Sequence, residues 1–181
     1  MSIQSFFEKD SFPSNTSRGI ISGFIGGLAG SAVKSVVERF LEVRKIDNRS
    51  AQIKVMDQFS TKLTGTPIKL ENEAIVEQLV NIPLGATVGA IYGYGKRDKD
   101  EVNLVDGGIL GATTWASTHE TSLPLLGLDK SPDKVPIKTQ VHELVAHVIF
   151  GVTTELVRGY VNDKLRKRDE EIEERQFTSL S

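Results

Sequence analysis

The sequence predicts an all-α protein, a four-helix up-and-down bundle that spans a membrane, with an amphipathic helix between the first and second helices. Three observations lead to this prediction. The chain has four apolar stretches of 19 to 25 residues, close to the roughly 20 residues that a helix needs to cross a bilayer. These stretches hold 15 of the 16 glycines, and they hold only seven of the 46 charged residues. They are residues 19–37, 75–95, 104–128 and 141–161.

The composition of the whole chain excludes several classes of protein. Its 181 residues are the size of one domain, 1–181. Because 22 Lys and Arg residues are balanced by 24 Asp and Glu residues, the chain lacks the positive charge of a nucleic-acid binder. The absence of cysteine excludes disulfides, Cys-ligated zinc and thiol catalysis. The mean hydropathy of −0.17 resembles that of a soluble protein, but it averages the apolar stretches with segments that carry the other 39 charges.

A polar N-terminal segment, residues 1–18, precedes the first stretch, in which glycine recurs every four residues. Each glycine costs a water-soluble helix about 0.5–1 kcal/mol relative to alanine, so this density needs a structural reason. In a bilayer, small residues let helix backbones approach each other. We therefore expect the glycines to form helix-packing rows of the glycine-zipper kind, which join helices within the chain, to a second copy or to partner helices. The expected packing residues are Gly19, Gly23, Gly27, Gly85, Gly89, Gly93, Gly107, Gly111 and Gly151.

Two polar segments flank or separate the stretches. Apolar residues recur at helical spacing within residues 49–63, which predicts an amphipathic helix that lies on a membrane surface or packs on the end of the bundle. Residues 162–181 are highly charged, and we expect them to extend the fourth helix into water and to fray from residue 176.

Eight ionisable residues within or next to the stretches are predicted to gather at one end of the bundle. In an up-and-down topology, the C-terminal ends of the first and third helices lie level with the N-terminal ends of the second and fourth. All three histidines of the chain fall into this group. Its members are Lys34, Glu38, Glu77, His119, Glu120, His142, Glu143 and His147.

Three interpretations of this group remain open. Imidazoles and carboxylates from facing helices suit a divalent metal, with His119, Glu143 and His147 as ligands and Glu38, Glu77 and Glu120 around them. Ionisable groups at membrane depth also mark proton or ion sites. The same groups can pair with one another and only fix the register of the helices. The His-Glu-x-x-x-His spacing at residues 142–147 differs by one residue from the zinc-protease motif, and no Gly-x-Ser-x-Gly elbow occurs, so an enzyme is not favoured.

The second half of the chain resembles a known family. The motifs that show the resemblance are Ala-Ile-Tyr-Gly at 90–93, Gly-Ile-Leu-Gly-Ala-Thr-Thr-Trp at 108–115, His119 followed by Pro-Leu-Leu-Gly-Leu at 124–128, Glu143 with His147 and Gly151, and Glu155 with Arg158. Together they resemble the YagU-like family of bacterial inner-membrane proteins, which is built around a domain of unknown function. The resemblance implies a four-helix membrane protein and no established reaction. No histidine lies near Glu77 or Asn81, where the family pattern leads us to expect one, and this counts against a metal.

The sequence thus predicts a small multi-pass protein of the bacterial inner membrane, with the lipid bilayer as its partner, no nucleic acid, and a His/Glu cluster that serves protons, ions or a metal. Two alternatives stay open: a soluble helical bundle that binds a metal through Glu and His, and a membrane scaffold without chemistry.

Overall fold

The computed structural model describes residues 15–41 and 50–180, and within these ranges the regular structure is entirely helical. The predicted all-α class is confirmed. Most of residues 1–18, predicted to form a polar segment, lie outside the described residues. The five helices of 12 or more residues are α1 (Asn15–Phe40), α2 (Ala51–Thr64), α3 (Glu73–Gly95), α4 (Leu104–Trp115) and α5 (Ile137–Leu180).

Three of these helices are long and apolar enough to cross a membrane, judged by length and composition: Asn15–Phe40, Leu70–Gly95 and Ile137–Ser179. The predicted stretch 104–128 differs from the expectation of a fourth regular helix. It begins as α4, continues as a π-helical segment, Ala116–Ser122, and ends in one turn, Leu123–Leu125. Helix α5 continues as a helix to Leu180, so the fraying expected from residue 176 is not seen.

Glycine contacts between α1 and α3 set the direction of the first two long helices. A Cβ built on Gly19 would lie 2.5 Å from the carbonyl oxygen of Gly93, and one built on Gly27 would lie against the carbonyl oxygen of Gly85. Between these two contacts, Gly23 faces Gly89 in the same way. Each step forward along α1 matches a step back along α3, so the two helices are antiparallel and their backbones touch.

Helix α5 packs against α1 on one side and against α4 on the other. On the α1 side, a Cβ on Gly26 would lie 2.5 Å from the carbonyl oxygen of Thr154. On the α4 side, a Cβ on Gly107 would lie 2.9 Å from the carbonyl oxygen of Gly151, and Gly111 faces the backbone of His147. Consecutive long helices therefore alternate in direction. The extensive contacts among the described helices are α1 with α3, α1 with α5 and α4 with α5, so α3 and α4 are not closely packed although one short connection joins them.

The interior of the bundle is polar and its outside is apolar. Large apolar side chains such as Phe24, Leu79 and Ile91 are exposed on the outer faces of the long helices. Most of the interior consists of glycine backbone and polar side chains, and among the described residues the buried apolar ones are Ile53, Ala86, Ala146 and Phe150. The buried polar side chains are Ser22, Ser31, Lys34, His147, Thr154, Glu155, Arg158, Asn162 and Asp169.

Helix α2 has the predicted amphipathic character and lies against the end of the bundle. Ser50 caps its N-terminus by accepting a hydrogen bond from the Ile53 amide at 3.3 Å, and Gly65 ends it with a positive φ of 74°. The side chain of Ile53 is buried, and Gln52 Nε2 donates a 2.9 Å hydrogen bond to Asn81 Oδ1 on α3. The remaining apolar ridge of α2, which is Val55, Phe59 and Leu63, is exposed.

Candidate functional site

His119, Glu143 and His147 lie together inside the bundle. The two imidazole rings meet edge to face, with centroids 5.1 Å apart and planes at 75°. His119 Nδ1 lies 3.6 Å from Glu143 Oε2, and the side chains of these two residues are only 10% and 14% exposed. His147 is buried. The structure thus brings together the three residues that the sequence analysis selected, and we call them the His–Glu cluster.

The backbone of two helices positions the rings of this cluster. His119 belongs to the π-helical segment after α4, and π-helical turns occur frequently at functional sites. His147 Nδ1 lies 2.8 Å from the carbonyl oxygen of Glu143, one turn earlier on α5. Because a carbonyl oxygen can only accept, Nδ1 of His147 carries the proton in this arrangement. Nε2 is therefore the nitrogen of His147 that gains or loses a proton.

A second carboxylate approaches the cluster from the loop after α4. Asp129 Oδ2 lies 3.9 Å from His119 Nδ1, and its side chain is partly exposed. The loop reverses at Gly127, which has a φ of 68°, a conformation that glycine adopts without strain. Sequence reasoning missed Asp129 because helical spacing places residues on helix faces and gives no position for a residue in a loop.

The structure gives each of the other residues predicted around the cluster its own surroundings. Glu38 accepts a 2.7 Å hydrogen bond from Lys34 Nζ on the same face of α1. Glu120 follows His119 in the π-helical segment, and in the described part of the chain Glu120 forms no hydrogen bond or ion pair. Glu77 is on α3, one turn before Asn81, with one carboxylate oxygen buried. His142 precedes Glu143 on α5 and is partly exposed.

The described residues do not support the predicted metal site. Within residues 15–41 and 50–180, no group of three or more His, Asp or Glu side chains has the arrangement to hold a metal ion. The hydrogen bond between Nδ1 of His147 and a backbone carbonyl does not bear on this point, because histidines that bind a metal commonly donate their other ring N–H in the same way.

A cavity of about 40 Å³, partly open to the outside of the bundle, lies beside the cluster in the space where α3 and α4 are not closely packed. Its apolar wall consists of Leu84, Gly85, Val88 and Phe150. Its polar wall combines side chains from α1, α3, α4 and α5, so each of the four long helices contributes to it. These polar residues are Ser31, Lys34, Ser35, Asn81, Thr114 and His147.

A second polar centre lies further along α5, where Glu155 and Arg158 form a fully buried ion pair. Arg158 Nε donates to Glu155 Oε2 at 2.6 Å, and its Nη2 donates to Oε1 at 2.8 Å. Both side chains are 0% exposed. The hydroxyl of Tyr92 on α3 is also buried beside this carboxylate, without a hydrogen bond of good geometry to any described residue. The Glu-x-x-Arg spacing inside an apolar stretch is the signal in the sequence that points to this pair.

This ion pair also holds the connection between α3 and α4. Arg158 donates to the carbonyl oxygens of Lys99 at 3.3 Å and Glu101 at 3.4 Å, and Glu155 accepts from the Asn103 amide at 2.9 Å. Residues 98–103 of this connection are exposed, so these hydrogen bonds anchor a surface loop on the buried side chains of Glu155 and Arg158.

Comparison with protein families gives one match. The family model described as "Protein of unknown function (DUF1440)" matches residues 28–156, which is well over half of the chain. The chain belongs to the DUF1440 family. Searches among the curated proteins and among the solved structures found no match.

The DUF1440 match includes most of both polar centres. It contains His119, Glu143 and His147, and therefore the complete His–Glu cluster. It also contains Glu155, and it ends two residues before Arg158. The charged C-terminal part of α5 lies outside the DUF1440 match.

Proposed function

We propose that this member of the DUF1440 family is a multi-pass membrane protein, and that its His–Glu cluster takes up and releases protons inside the helix bundle. The membrane is the inner membrane of a bacterium if the resemblance to YagU-like proteins holds. The proposal has two parts, the membrane and the proton site, and each has its own support and its own test.

The reversed polarity of the bundle supports a membrane location. In water, large exposed apolar patches are unfavourable, and buried charges are costly unless they are paired. Three long helices here expose apolar side chains while Lys34, Glu155 and Arg158 are buried among glycines. In lipid the same arrangement is favourable, because apolar side chains contact acyl chains and polar groups pair with each other.

The contact between His119 and His147 beside Glu143 is the single observation that carries the proton-site proposal. Imidazole is the side chain whose ordinary titration lies nearest to neutral pH. Two rings in edge contact cannot both become charged without repulsion, and a carboxylate at 3.6 Å favours charge on one of them. Such a group exchanges one proton readily and a second with difficulty.

Membrane fractionation tests the first part. Expressed in a bacterium, the full chain should sediment with inner membranes and stay there after extraction with alkaline carbonate, because its apolar outer face remains in lipid. Detergent should release it. Recovery of a monodisperse protein in the aqueous carbonate supernatant would contradict the membrane part of the proposal.

Histidine NMR tests the second part. In detergent micelles, protein with ¹⁵N-labelled imidazoles should show His119 and His147 titrating as a coupled pair. The variant His119→Gln should move the midpoint of His147 by about one pH unit. His142→Gln is the matched control, since His142 lies outside the cluster and its replacement should leave both midpoints unchanged. Independent titration of the two rings, unaffected by either variant, would contradict the proton site.

A further inference from the structure

We infer that the cavity between α1, α3, α4 and α5 binds a small group of ordered water molecules that connects the His–Glu cluster to the buried ammonium of Lys34. The inference rests on the proposed function, because it gives the cluster a route by which protons enter and leave. The occupancy of the cavity by water is nevertheless a separate physical claim and has its own test.

The amide of Asn81 gives the first reason. Its Oδ1 accepts a 2.9 Å hydrogen bond from Gln52, so the orientation of the amide is fixed by α2. Its Nδ2 is buried and has no hydrogen-bond partner in the described part of the chain, although Asn81 lines the cavity. Buried amide N–H groups in folded proteins are nearly always satisfied by protein or by ordered water. Because no described protein group accepts a hydrogen bond from this Nδ2, we expect a water molecule in the cavity to accept it.

Lys34 gives the second reason. Lys34 is only 9% exposed, and it lines the same cavity. An ammonium group has three N–H donors, and in the described residues Lys34 uses one of them, toward Glu38 at 2.7 Å. A buried charge needs further hydrogen bonds to be tolerated in a low-dielectric interior.

The hydroxyl groups of the wall supply acceptors for the same waters. Ser31 and Thr114 donate their protons to the carbonyl oxygens of Asn81 and Leu110, at 3.4 and 2.7 Å. Ser35 donates its proton to the carbonyl oxygen of Ser31 at 2.9 Å or to Gln78 Oε1 at 2.7 Å. The lone pairs of their oxygens therefore remain as acceptors. The wall thus offers both donors and acceptors, and a buried water needs two to four such partners.

The volume fits a few water molecules. A cavity must offer about 10–15 Å³ to hold one water, so the 40 Å³ here has room for about two or three. Because His147 lines the cavity and contacts His119, waters in it link the cluster with Lys34 and its partner Glu38.

Hydroxyl-radical footprinting of the full chain in lipid nanodiscs tests whether the cavity is wet. Radicals formed from internal water oxidise neighbouring side chains. Phe150 lines the cavity and Ile53 does not, although the two are equally buried, at 3% and 2% exposed. After correction for the intrinsic reactivity of Phe and Ile, we expect Phe150 to be oxidised several-fold faster than Ile53.

A cavity-filling variant provides the control for bulk solvent. Val88→Phe should fill the cavity and lower the oxidation rate of Phe150 to that of Ile53, whereas Val105→Phe, on the exposed face of α4, should leave it unchanged. If Val88→Phe loses its helical circular dichroism, Thr114→Leu fills the same cavity from α4 and should give the same decrease.

The outcomes separate this inference from the proposed function. Oxidation of Phe150 no faster than that of Ile53, or unaffected by a folded cavity-filling variant, overturns the water site. Slow oxidation together with coupled histidine titration overturns the water site alone. Fast oxidation of Phe150 together with histidines that do not titrate as a pair overturns the proton site and leaves the water site standing.

Discussion

Substituting alanine for Gly23 tests the backbone contact between α1 and α3. A Cβ at this position would lie against the carbonyl oxygen of Gly89 and 2.8 Å from the Cα of Gly93. Carbon atoms in ordinary contact are about 3.5–4.0 Å apart, so the two helices would have to separate by about 1 Å. No side-chain rotation relieves this overlap, because both opposing atoms belong to the backbone of α3.

The expected loss follows from two opposing terms. Overpacking a tight interface costs about 1–3 kcal/mol, and a 1 Å gap also removes up to about half of the dispersion energy of each contact pair. Alanine returns about 1 kcal/mol through its higher helix propensity. We therefore expect Gly23→Ala to lower the free energy of unfolding by about 1–2 kcal/mol, which is roughly a five- to thirty-fold change in the folding equilibrium.

The matched control is Gly108→Ala, the same substitution in α4. A Cβ on Gly108 would meet no heavy atom within 4 Å, so only the propensity gain of about 0.5–1 kcal/mol remains and the variant should be more stable than the wild type. The measurement is equilibrium unfolding in mixed detergent micelles, followed by circular dichroism and by the fluorescence of Trp115. Equal stability changes for the two variants, or a Gly23→Ala protein as stable as the wild type, would refute the account of the interface.

Two further predictions concern the buried ion pair and α2. Arg158→Met should lower the free energy of unfolding by about 3–5 kcal/mol, because it leaves Glu155 charged and without its ion-pair partner. Adding Glu155→Gln to the same chain should recover most of that loss. Equal losses in the single and double variants would contradict a charge effect. If the exposed ridge of α2 lies in the headgroup boundary, roughly 5–10 Å deep, then in a Trp115→Phe background the fluorescence of Phe59→Trp should be quenched by shallow brominated lipids. The fluorescence of Thr61→Trp in the same background should be quenched much less. Similar quenching at both positions would exclude an interfacial orientation of α2.

The local structure of this chain was largely readable from spacing. Glycine at every fourth position marked the contact faces, and alternating directions followed from the short connections, so His119, Glu143 and His147 could be assigned to the same end of the bundle. The amphipathic helix was readable too, since its apolar residues recur at helical spacing and Gly65 follows its last turn.

Spacing did not predict which helices would be neighbours. The predicted up-and-down topology makes consecutive helices such as α3 and α4 neighbours, but glycine contacts join each of them to a different helix, α3 to α1 and α4 to α5. The polar cavity lies in the space that results. A row of glycines on a helix shows that another helix can approach its backbone closely. It does not show which helix will do so, because any two glycine faces can pack in this way.

The sequence by itself determined the helices, their apolar outer faces and the end of the bundle at which the histidines gather, because these depend on residues close together in the chain. The tertiary structure decided which charges meet. It paired Glu38 with Lys34, added Asp129 from a loop, and buried Arg158 against a connection more than fifty residues earlier in the chain. These pairings depend on contacts between distant segments at distances of a few ångströms, and helical periodicity carries no information about such distances.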